Sequence, residues 1–253
     1  MKKIFYILLA LQMSAVMLFA ASDIGKTLQA KMLYPLPSSI VMNAYRYLGS
    51  LKHFSVDAVT TNDDYFKKEM IATFTHHVHI DLQRPGKLHI DVAGDLKNRS
   101  FYLNDGHFVI YDEDLDYYGV LQEPKEIDTA LDALFDKYDI KTPLANILYS
   151  DLYKRIPPKN KGYYFGTSEV DGKLCHHIGF SSEVEEIQFW IETGIRPLIL
   201  KFIVIDKTHK YLPRSGTILR WNLHPKFNEK TFAFTPLEKT IRISIEPYIK
   251  GEK

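Results

Sequence analysis

Cysteine is almost missing from this 253-residue chain: Cys175 stands alone, which excludes an internal disulfide and any metal site built from several thiolates. Charge of one sign is equally scarce. The formal net charge is +1 and no five like charges run together, so neither nucleic acid nor an anionic membrane surface is the main partner, since both demand a concentrated basic face. Gly-x-Ser-x-Gly, His-Glu-x-x-His, phosphate-loop and dinucleotide-binding glycine patterns are absent, and no spacing selects two carboxylates as acid and base. No catalytic residue, metal ligand or cofactor is therefore assigned. Nor does a stretch rich in Gly, Ser or Pro divide the chain at its midpoint, so residues 22–253 read as one domain. The composition is ordinary for a globular protein, 45% hydrophobic and 25% charged.

What is present begins with a leader. Lys2 and Lys3 precede an uncharged apolar run from Ile4 to Leu18, which closes at Phe19-Ala20-Ala21-Ser22. This is the pattern of a secretory signal peptide, expected to span residues 1–21 and to be cleaved. A retained anchor is the alternative, because Ile4 to Ala20 reaches the short end of the ~17–25 residues that cross a bilayer. With Lys2 and Lys3 gone the charge becomes −1, and no cysteine stands near the cleavage region to take a lipid. The expectation is a soluble periplasmic protein with no stable membrane insertion after cleavage.

Hydrophobic periodicity then changes along the chain. Ile40, Val41, Ala44, Tyr45, Tyr47, Leu48 and Leu51 have helical spacing after Pro37-Ser38-Ser39, predicting a helix over 36–51. From Met70 to Leu82 the even positions are Met, Ala, Phe, His, Val, Ile and Leu, which predicts a half-buried strand of unusual length. Arg84-Pro85-Gly86 turns the chain into a strand carrying Leu88, Ile90 and Val92. Asn104-Asp105-Gly106 makes a hairpin of the runs at 101–103 and 108–111. Ile127, Leu131, Leu134 and Phe135 predict one helix face, and a second short helix runs from Pro143 to Leu152, stopped by Pro157-Pro158. Strands resume at 162–170, 174–180, 187–191, 198–205 and 217–223, the first two joined at Asp171-Gly172. The pattern is α+β: one antiparallel sheet interrupted by a helical excursion, its helices placed as candidate lids.

Several stretches then carry a resemblance across about 43–245. They include Arg84-Pro85 with Leu88 and Gly94-Asp95, Asp105-Gly106 with Tyr111, and Ile127-Asp128 with Ala130-Leu131-Asp132 and Pro143-Leu144-Ala145. Val170-Asp171-Gly172 with Cys175 and His177 comes next, then Gln188-Phe189-Trp190-Ile191 with Gly194 and Pro197-Leu198, and finally Phe232-Ala233-Phe234-Thr235-Pro236. Together they resemble a family of predicted periplasmic proteins of unknown function in the LolA/LolB-like superfamily of outer-membrane lipoprotein carriers and acceptors. The resemblance implies an incompletely closed antiparallel β-barrel, a half-barrel whose concave face is covered by helices and takes an acyl chain or another apolar ligand. The chain departs from the family at Ile187, where a Trp is usual, and at Pro236-Leu237-Glu238.

Such a concavity is either filled by its own side chains or left open for a ligand. Phe74, Val78, Leu88, Ile90, Phe101, Phe108 and Ile110, with Phe189 and Leu200 in the second half, are the candidate inward-facing ligand residues among 16 Tyr, 15 Phe and 2 Trp. Histidines offer less. His77 and His79 share a strand face with His89 beside them, but alternation alone explains a polar face, and a third ligand is not evident. His76 falls on the apolar side, as a hydrogen-bonded core histidine or a charge switch near pH ~6.5. Cys175 and His177 share a strand face with β-carbons about 7 Å apart, too far for a thiol and its base. Three functions are consistent with this reading: a soluble periplasmic binding or carrier protein for an apolar or lipid ligand, a lipoprotein acyl chain included; an envelope interaction or sensor module without a lipid ligand; and an envelope hydrolase with a scattered site.

Overall fold

The computed structural model describes residues 36–248 apart from 68, 143, 157 and 159–161. The signal-peptide reading therefore falls outside the described residues. Helix α1 (Pro37–Ser50) opens the unit that begins at Pro37. A six-strand meander comes after it, β1 (His53–Phe66), β2 (Met70–Gln83), β3 (Lys87–Gly94), β4 (Arg99–Asn104), β5 (His107–Asp112) and β6 (Tyr117–Gln122). Then come helices α2 (Ile127–Tyr138), α3 (Ala145–Leu148) and α4 (Leu152–Arg155). A second meander returns through β7 (Tyr163–Val170), β8 (Lys173–Ser181), β9 (Glu185–Glu192), β10 (Ile199–Asp206) and β11 (Arg214–Asn222). A 3-10 turn (Glu229–Phe232) and β12 (Ile241–Ile243) complete it.

All twelve strands join one sheet in the order β12-β6-β5-β4-β3-β2-β1-β11-β10-β9-β8-β7, which is not closed. The second meander reaches back to pair β11 with β1, the strand that starts the first. Neighbours are antiparallel except β12, which runs parallel to β6. Asp105 (φ 49°) and Gly106 (φ 94°) make the two-residue β4–β5 turn, where positive φ at both positions matches the twist of the flanking strands.

Registry sorts the side chains into two faces. Ile80, Ile90, Phe101 and Ile110 stand opposite one another in successive strands, and Leu82, Leu88, Leu103 and Phe108 form the next rung. In the other half, Thr60, Thr217, Phe202, Phe189 and Ile178 make one rung on the same face. Most of these side chains are fully buried, and each apolar one contributes about 1.5–3 kcal/mol of transfer free energy. Val41, Ala44, Tyr45 and Leu48 of α1 and Ile127, Ala130, Leu131 and Leu134 of α2 belong to the same buried cluster. Their spacing, three or four residues apart, gives each helix one apolar stripe. Phe135, expected on that stripe, is instead exposed on its flank beneath the Lys141 ammonium, 5.4 Å from its ring centre.

Sequence periodicity misses three strands. Along β1 the inward positions run Phe54, Val56, Ala58, Thr60, Asn62 and Asp64, so the apolar alternation fades halfway. Thr60 is nonetheless buried, its hydroxyl 2.9 Å from that of Thr217. Strand β12, three residues long, is too short to show a period, and β6 (Tyr117–Gln122) carries apolar residues on both of its faces and so does not alternate. In place of one helix ending at Leu152 the chain makes two single turns, Ala145–Leu148 and Leu152–Arg155, because it breaks at Tyr149–Asp151 to bring Ser150 onto Asp128. No helix among the described residues is long and apolar enough to cross a membrane.

Candidate functional site

One buried ion pair holds the helices to the sheet. The Arg84 guanidinium lies 3.3 Å from Asp128 at the start of α2 and donates to the carbonyls of Leu148 (2.7 Å) and Leu51 (3.1 Å). Asp128 in turn accepts from the Ser150 amide and, at 2.5 Å, from its hydroxyl. Every donor in this hub is charge-matched or aimed at a helix-end carbonyl, which offsets the cost of burying the pair. Gly49 completes the junction, since a β-carbon there would run into the Ser150 carbonyl. Arg84-Pro85 and Ile127-Asp128 are thus joinery rather than chemistry.

Beside the hub, a cavity of about 420 Å³ lies between α1 and the apolar face of β8 and β9. Val41 and Tyr45, one helical turn apart, line it from α1; Phe180, Ile187 and Phe189 line it from the strands. Tyr45 meets Phe189 edge-on, ring centres 6.3 Å apart. Burial, and then Glu185, push the Tyr45 phenol well above its usual range, so it is neutral at any physiological pH. Arg155, Ser181, Ser182 and Glu185 give the cavity a polar margin. Its volume falls within the ~300–1,000 Å³ of ordinary ligand sites, and an apolar wall with few polar groups is their usual chemistry.

Of the nine residues expected on the ligand face, Phe189 lines this cavity. Ile110 reaches a separate apolar hollow of about 440 Å³ with Gly119 and Ile245, and Phe74 one of about 380 Å³ with His76 and Leu96. Val78, Leu88, Ile90, Phe101, Phe108 and Leu200 are packed into the core, each 5% exposed or less. All nine thus stand on the buried side of the sheet, but only three border a hollow. Val41, Tyr45, Phe180 and Ile187 were not among the residues expected there from sequence. Their signal was the i, i+4 stripe of α1 and the alternation of β8 and β9, both read only as secondary structure.

His79 and His89 settle into the opposite face, whereas His76 stands on the inward face, in register with Thr60 and beside Phe74, as its place in the alternation predicts. His79 donates to Asp57 at 2.7 Å and lies 3.3 Å from Asp81, so both ring nitrogens face carboxylates. The hydrogen bond to Asp81, together with that to Asp57, outweighs partial burial and raises its pKa to about 9. His89 stacks on Tyr102 and lies 3.0 Å from Asp91. His76, half-buried, is lowered by burial and by His77 against a smaller pull from Asp95. Burial and Glu192 push the Cys175 thiol up to about 11, while His177 is stacked on Trp190 and bonded to Gln188 at 3.0 Å. Neither is poised as nucleophile or base. Phe234, from the carboxy-terminal motif, packs among Tyr102, Tyr111 and Tyr118 and straps that segment to the same face.

Among solved structures the chain is similar to LprF from Mycobacterium bovis (13% identity, TM-score 0.49, 77% of this chain and 97% of that one). It is also similar to the lipoprotein LppX from Mycobacterium tuberculosis (11%, 0.41, 76% and 98%). A LolA superfamily protein from Nitrosomonas europaea matches at 8% and 0.35, over 79% and 99%. No curated protein matches the sequence. Over residues 38–246 the sequence fits the model of one family, and the chain belongs to it: the predicted periplasmic proteins designated DUF2092.

Proposed function

We propose that this protein is a periplasmic binding or carrier protein whose open sheet forms a half-barrel, with helices over its concave face and an apolar ligand held between α1 and strands β8 and β9. The observation that carries this reading is the 420 Å³ cavity with Val41 and Tyr45 on one side and Phe180, Ile187 and Phe189 on the other. The family's description as periplasmic and the resemblance to lipoprotein carriers support it. An acyl chain is the ligand class that fits an apolar slot with a polar margin: each methylene removed from water contributes about 0.8 kcal/mol, while Arg155 and Ser182 meet a polar head. Binding of that size is reversible, as a carrier requires.

The test is cavity filling. Val184→Trp places an indole across the mouth of the slot from an exposed position of its lining, and the affinity for a fluorescent fatty acid is expected to fall about tenfold or more with the unfolding midpoint little changed. Unchanged affinity in a folded variant would show that the ligand, if any, lies elsewhere.

A further inference from the structure

The length of β2 remains unexplained by the core. Its last pair with β3 is His76 opposite Gly94, and the last pair of β1 with β11 is Asn62 opposite Ser215. Beyond Asn62 and its partner Phe74, residues 63–66 and 70–73 pair in the sheet only with each other, so the hairpin projects by about 13 Å at ~3.3 Å per residue. An isolated two-stranded hairpin is barely stable in water, yet this one exposes Phe66, Met70 and Ile71. The β10–β11 loop braces it, with Tyr211 stacked on Tyr65 at 3.7 Å, and adds exposed Leu212. Leu212 is held at φ 49°, a costly conformation for a branched side chain. The same loop reaches the margin of the α1 cavity, where the Lys207 amide donates to the carbonyl of Val184 at 2.9 Å.

We propose that this projecting tip, formed by Phe66, Met70, Ile71, Tyr211 and Leu212, is a membrane-contacting prong that seats the protein on a lipid bilayer with the cavity margin facing it. Isolated apolar side chains on a narrow tip suit insertion between lipid headgroups, whereas a protein interface needs a broad complementary surface. In the sequence around the tip, Lys67, Lys68 and Lys210 are matched in number by Asp63, Asp64 and Glu69, so apolar insertion rather than charge drives contact. Salt and anionic lipid then change it little. The purpose of the contact rests on the apolar-ligand reading; the contact itself does not.

Cys175 is buried, so a single added cysteine can be labelled selectively. An environment-sensitive dye on Met70→Cys is expected to shift to the blue and be quenched by a lipid-borne quencher when phosphatidylethanolamine–phosphatidylglycerol vesicles are added. On Ile195→Cys, 94% exposed in the β9–β10 loop at the opposite end of the sheet, it is expected not to respond. Phe66→Ser/Met70→Ser/Leu212→Ser is expected to lower vesicle affinity about tenfold or more, with fatty-acid binding in vesicle-free solution unchanged. Equal responses at both positions, no response at either, a triple variant that binds vesicles like the parent, or binding only to vesicles that carry envelope proteins would each overturn the prong. Loss of fatty-acid binding by the parent, with the response at position 70 intact, would instead overturn the ligand reading alone.

Discussion

The two halves of the sheet cover the same kind of face differently. In β2 to β5 the central inward residues Val78, Ile80, Leu82, Leu88, Ile90, Phe101, Leu103 and Phe108 are each 5% exposed or less, and the half-covered Phe74, Val92 and Ile110 border hollows that α1 does not line. In β8 to β10, Ile178, Phe189 and Leu200 are as deeply buried, but Phe180, Ile187 and Phe202 are only half-covered, and a cavity opens beside α1. The first half sits next to a charged hub that fixes α2, α3 and the end of α1 at Arg84. The second is approached by α1 through Tyr45 and its neighbours, with no equivalent ion pair among the described residues of that contact. Apolar composition alone does not distinguish the two faces; the helices beside the first are tied to it by an ion pair, and among the described residues α1 has none where it meets the second.

Breaking the hub tests that contrast most severely. Arg84→Ala leaves the Asp128 carboxylate facing Ser150 without its counter-charge, and a loss of about 3–5 kcal/mol is expected in denaturant unfolding. A loss below about 1 kcal/mol would mean the hub does not fix the helices. Truncation in each half comes next. Ile90→Ala should cost about 2–5 kcal/mol, because a fully buried site leaves a cavity behind. Ile187→Ala borders a cavity already and should cost distinctly less, on the order of 1 kcal/mol. Equal costs would erase the difference between the halves.

The smallest expected effect lies on the polar face and depends on pH. The folded pKa of His79 is raised to about 9 from an ordinary value of 6.5. Its stabilisation is therefore fully present below pH ~6.5 and lost as pH rises through about 9. Because His79 and Asp57 are substantially exposed, solvent screening limits the effect to roughly 1 kcal/mol or less. His79→Gln should lower the unfolding free energy at pH 6 and match the parent at pH 10. A deficit that is constant with pH would assign the loss to packing rather than to charge.

Much of this architecture was legible because alternation survives wherever one face is buried and the other wet. Strand β2 and the hairpins at Asp105-Gly106 and Asp171-Gly172 follow from period and turn chemistry alone. Strand β1 was not legible, since its inward face turns to Thr60, Asn62 and Asp64 where the hairpin leaves the core. The break between α3 and α4 was equally hidden, being imposed by a tertiary partner, Asp128, that lies 22 residues from Ser150. The inward side of the sheet could be read from parity. Which inward residues border space could not, because that depends on where α1 comes to rest.

Whether an apolar ligand sits under α1 against β8 and β9 decides between a binding protein and a filled fold. A photoactivatable fatty acid, crosslinked to the purified protein and mapped by peptide mass spectrometry, tests it most directly. Adducts concentrated on Val41, Tyr45, Phe180 and Ile187, and displaced by excess unlabelled fatty acid, are the expected result. Adducts confined to β2–β5, or scattered and not displaced by competitor, would contradict it.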